Sequence, residues 1–66
     1  MDYYELAKAI RKRSKKMYEK AKNEVDFNRE AALADAAVAK ALEIVSEELL
    51  IQDILEQAER KAKESR

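Results

Sequence analysis

Sixty-six residues make one domain at most, and a core this small needs unusually close packing or a second chain to hold it. Cys, Gly, His, Pro, Thr and Trp are absent, which excludes disulfide staples, the usual zinc and copper ligands, and most nucleophile and general-base machinery. Fourteen basic and fourteen acidic residues balance to a formal charge of zero, so no global excess of either sign selects a class of partner.

Without Gly and Pro the chain lacks its strongest turn formers, and Ala, Glu, Lys, Leu and Arg dominate. That is the composition of long helices or helical bundles. It suits a computationally designed or simplified chain as well as a natural helical protein. Residues 1–10 hold no apolar run of signal-peptide length, and no run of 18 apolar residues occurs anywhere. The expectation is a soluble protein, cytoplasmic if natural, with no membrane insertion.

A first helix is expected over residues 2–22. Asp2 is placed to cap it, Glu5 sits three residues on, and Met1 is spaced to staple onto Leu6. Tyr3, Ala7, Ile10, Ser14, Met17 and Ala21 recur in steps of three and four. Small residues seven apart, at Ala7, Ser14 and Ala21, would let a neighbouring backbone come close. Asn23 tolerates the left-handed conformation that often ends a helix, and residues 23–27 read as a loop. Asn28 then caps a second helix over 28–45, with Phe27 and Ala32 at staple spacing. Seven alanines between 31 and 41 leave that helix apolar over about half its circumference.

The apolar face turns by about 100° between residues 33–45 and 50–62, which a break near Ser46 would relieve. Ser46 is an acceptable cap, with Glu47 and Glu48 following it. The favoured architecture is therefore an all-α, small three-helix bundle in a single domain, with helices near 2–22, 28–45 and 47–64. The alternative is a helical hairpin forming an antiparallel four-helix-bundle homodimer. Core candidates in both are Leu6, Ile10, Met17, Leu33, Val38, Leu42, Val45, Leu50, Ile51, Ile54 and Leu55.

Charge is unevenly spread: residues 7–22 hold eight basic residues and one acid, whereas 23–59 hold ten acids and two bases. Lys8, Arg11, Lys12, Lys15 and Lys16 are the candidate polyanion-binding set, able in principle to follow a nucleic-acid backbone. A solvated face opposite the apolar seam is the plainer reading of the same residues. Ser14 lies on the seam with no base at a useful spacing, and its hydroxyl is expected to bond back to the Ile10 carbonyl. Asp35 is expected on an exposed stripe of the second helix, the alternative being an ion pair with the first. Glu43 and Glu47, with Glu48 and Asp53 near, are the one carboxylate group to weigh for a hard cation such as Mg²⁺; no metal or cofactor is assigned. Tyr4 and Tyr18 flank the seam as boundary residues with their hydroxyls in water.

The function expected from these features is a non-catalytic structural or interaction module that self-associates or binds a partner helix. The alternative is a small regulator that binds nucleic acid or another polyanion through the first helix.

Overall fold

Two helices joined by a four-residue turn carry the chain, and the computed structural model describes residues 2–64. Helix α1 spans Tyr3–Glu24 and α2 spans Arg29–Glu64. Among the described residues there is no strand.

Both helix starts are made by short polar side chains. Asp2 Oδ1 accepts the Glu5 N–H at 3.2 Å, and Asn28 Oδ1 accepts the Ala31 N–H at 3.1 Å, each satisfying one of the orphan donors of a first turn. The Met1–Leu6 staple lies outside the described residues. Phe27 is 78% exposed, so contact with Ala32 covers little of its ring. The end of α1 differs from expectation. The helix continues through Asn23, and the N–H groups of Phe27 and Asn28 both donate to the Glu24 carbonyl, at 3.1 and 2.8 Å. Val25 stays right-handed, and no described residue has positive φ. The reversal is thus made from ordinary right-handed backbone, and Asn23 is not needed for it.

The third helix does not form. Ser46 sits inside an unbroken α2, 1% exposed, with its hydroxyl donating to the Glu43 carbonyl at 2.7 Å. The hydroxyl that would cap a new helix is instead satisfied by the turn before it, an alternative open to any helical Ser. No residue nearby favours positive φ, and β-branched Ile44 and Val45 are poor helix ends. The hairpin alternative therefore describes the architecture of the chain.

Packing between the helices follows a repeat of seven. Among the described residues Ala7, Ser14 and Ala21 of α1 and Ala32, Ala39 and Ser46 of α2 are the buried ones. With side chains of one carbon facing each other, the backbones approach closely enough for Ser14 Oγ to donate directly to the Ala39 carbonyl at 2.7 Å. The Ile10 carbonyl is not its acceptor: the bond crosses between helices. None of the eleven large core candidates is fully buried. Ile10, Met17, Leu42 and Leu50 are half-buried beside the seam, and Leu6, Leu33, Val38, Val45, Ile51, Ile54 and Leu55 are exposed. In the lone hairpin no further layer lies over them to close that core.

The helices are unequal. At 1.5 Å per residue, α1 is about 33 Å long and α2 about 54 Å. Residues beyond about 50 therefore run past the start of α1. The molecule measures 61 × 14 × 13 Å, and its radius of gyration of 16.5 Å exceeds the roughly 11 Å of a compact chain of this length.

Candidate interaction surface

Because α2 packs one seam on α1, everything a half-turn away faces outward. Positions 34, 37, 41, 44, 48, 51, 55, 58 and 62 follow one another in steps of three and four, the spacing of a single helix face. Glu48 is the one charge among them. The rest are Ala, Ile and Leu, all exposed, and Leu33, Val38, Val45 and Ile54 border them, Ile54 at 65%. A folded monomer of 7.6 kDa is expected to expose about 4,300 Å². This chain exposes 5569 Å². Scattered apolar residues on a surface need no explanation, but a continuous strip of this length does.

Two recesses lie beside the paired helices. Near the turn, Lys22 and Arg29 edge a shallow groove floored by Val25, Ala32, Leu33 and Ala36. At the other end, where α2 runs past α1, Asp2, Asp53, Glu56, Gln57 and Arg60 line a polar recess. Its side chains are held to one another: Gln57 Nε2 donates to Asp53 at 2.7 Å and Arg60 to Glu56 at 2.7 Å. Asp53 occupies the next position of the Ala32, Ala39, Ser46 repeat, where α1 has ended and small size is no longer required.

Polar contacts flank the paired segment on both sides. On one side, Lys20 is shared between Glu24 at 3.8 Å and Asp35 at 3.6 Å. Asp35 is half-buried, so the ion pair to the first helix replaces the exposed stripe expected for it. Burial raises the Glu24 pKa most, the adjacent Asp35 carboxylate raises it further, and Lys20 acts in the opposite direction. Glu24 Oε2 is buried without a hydrogen-bond partner. On the other side, the Tyr18 hydroxyl donates to Glu43 at 3.0 Å, and Lys40 approaches the same oxygen at 3.7 Å. Desolvation, then the bond to Glu43 and its charge, hold Tyr18 above the usual tyrosine value. Its hydroxyl is therefore not left to water alone.

The predicted polyanion set lies exposed along α1. Lys8 is engaged, 3.4 Å from Glu5 and 4.9 Å from the Tyr4 ring centroid. Among the described residues, Arg11, Lys12, Lys15 and Lys16 make no ion pair; Arg11 and Lys15 edge a small recess with Ser14, Tyr18 and Glu43. Of the carboxylates weighed for a cation, Glu43 is turned to Tyr18 and Lys40 while Glu47 and Glu48 are exposed. Among the described residues no group of three potential ligands converges on a metal position. Likewise no described helix is long and apolar enough to cross a membrane.

Fold and surface together define a helical hairpin with a small-residue seam and an uncovered apolar strip. Comparison with protein-family models, curated proteins and solved structures finds no match for the chain.

Proposed function

We propose that this chain is a non-catalytic helix-docking module whose working surface is the outer strip of α2. The exposure of that strip carries the reading: Ile44, Ile51, Ile54 and Leu55 lie uncovered on one long helix, in the pattern by which amphipathic helices dock on one another. The alanine seam supports it too. Among the described residues four buried alanines are the whole apolar core, and each removes little surface from water compared with a Leu or Ile. A partner that covers the large residues adds the missing burial. Both buried serines are engaged in packing and hydrogen bonds, which leaves them unsuited to nucleophilic work.

The test combines solution mass over a hundredfold dilution with binding of an apolar fluorescent dye. A mass above 7.6 kDa that falls on dilution, or a monomer whose dye binding is lost in the I51K/L55K variant, is the expected outcome. A monomer that binds no dye would overturn the reading.

A second reading, polyanion binding along α1, draws support from the exposed and unpaired Arg11, Lys12, Lys15 and Lys16. It requires affinity for a labelled duplex that falls steeply with salt and is lost in K12E/K16E. Absence of binding at low salt removes it.

A further inference from the structure

The outer strip of α2 changes character along its length. In the half nearest the turn it is small, with Ala34, Ala37 and Ala41; in the far half it turns large at Ile51 and Leu55 before ending small at Ala58 and Ala62. The large half is also the half that α1 does not accompany. Resting on the helix-docking reading above, we propose that the docked helix is α2 of a second copy, antiparallel about a twofold axis near Ser46. Residues 51–64 of each copy then lie over residues 28–41 of the other.

Three observations converge on this arrangement. The first is size. Reversing the strip about Ser46 sets Ala37 against Leu55 of the partner subunit, and Ala41 against the partner's Ile51, so that bulk meets space along the contact. A parallel pairing would set Ala on Ala and crowd the large residues together. The second is length, since the stretch of α2 that α1 leaves unaccompanied, 51–64, is long enough to cover the alanine-rich stretch 31–41.

The third is area. The chain exposes about 1,300 Å² more than a compact monomer of its mass, while a stable interface buries about 800 Å² per partner. An isologous contact also closes on itself, since each copy offers the same small half and the same large half.

The absence of Cys makes single-cysteine variants clean probes of orientation. A nitroxide on K63C, 17 residues from the axis, is expected about 50 Å from its twin in the antiparallel dimer and within about 20 Å in a parallel one. Equimolar A37C and L55C chains are expected to form a mixed disulfide, with little of either homodisulfide. Short K63C distances, or ready A37C homodisulfides, overturn the antiparallel register while leaving helix docking intact. A dye-binding monomer at every concentration also overturns the proposal, and points to a different chain as the docked helix. A monomer that binds no dye removes the docking reading itself.

Discussion

The two seams of α2 are built on opposite rules. The inward one, Ala32, Ala39 and Ser46, is small throughout and closed, while the outward one is open and carries the large residues Ile44, Ile51 and Leu55 among its alanines. Burial inside the hairpin selects for closeness of backbones, not for apolar mass. Most of the hydrophobic free energy that the sequence can offer therefore lies outside the lone hairpin, on a face awaiting cover.

The sharpest way to break this contrast is to place the same substitution on each seam. A39L adds a branched side chain at a position that is 0% exposed, opposite the Ser14 hydroxyl. It must push the helices apart, at a cost of about 1–3 kcal/mol, enough to lower Tm by roughly 10 °C in a domain of this size. A37L, two residues away on the open strip, is expected to leave the hairpin intact and to act on association alone. Thermal melts of both at low concentration, where association is weakest, check the pair. Equal losses would mean that the two seams are not distinct.

Much of this contrast is legible in the sequence, though its sense is not. The spacing of Ala7, Ser14 and Ala21 announces a close-approach seam, and the Asp2 and Asn28 caps are readable from their side chains alone. Small residues, however, look like filler in a reading that searches for a core among Leu, Ile and Val. Ser46 is ambiguous in principle, since a hydroxyl that can cap a helix start can also bond back within a continuous helix. The outcome depends on whether α1 lies opposite, which local pattern does not encode. The Lys20–Asp35 and Tyr18–Glu43 contacts are likewise products of the hairpin's register. That register is fixed by the length of the turn. The uncovered strip was visible as apolar residues, but its exposure follows only once the third helix is known to be absent.

One polar contact of the closed seam crosses between the helices, and S14A tests how much it adds. Removing a neutral hydrogen bond between helices costs about 0.5–1.5 kcal/mol. Here the low end is expected, because the Ala39 carbonyl lies mid-helix and keeps its own backbone donor, so no buried acceptor is stranded. A Tm fall of a few degrees is the expected reading, well below that of A39L. A larger fall would mean that the bond also sets the spacing of the backbones.

The smallest effect is expected at the edge of the seam, where Glu24 lies beside Asp35 with Lys20 between them. Its pKa is raised above the usual 4.5, chiefly by burial, so the folded hairpin holds that proton more tightly than the unfolded chain does. The stability this proton confers is complete below the ordinary carboxylate value and is lost as pH rises through the folded one. E24Q keeps the shape and removes the charge. Its Tm is expected to exceed that of the parent at neutral pH, by a margin that shrinks toward zero as the pH falls below 4.5 and Glu24 becomes neutral in the parent as well. The difference between the two melts isolates Glu24 together with its immediate neighbours Asp35 and Lys20. A variant less stable than the parent at neutral pH would show instead that attraction to Lys20 outweighs burial and the neighbouring carboxylate. The closed seam would then be stabilised at its edge by an ion pair, and acid would weaken it there.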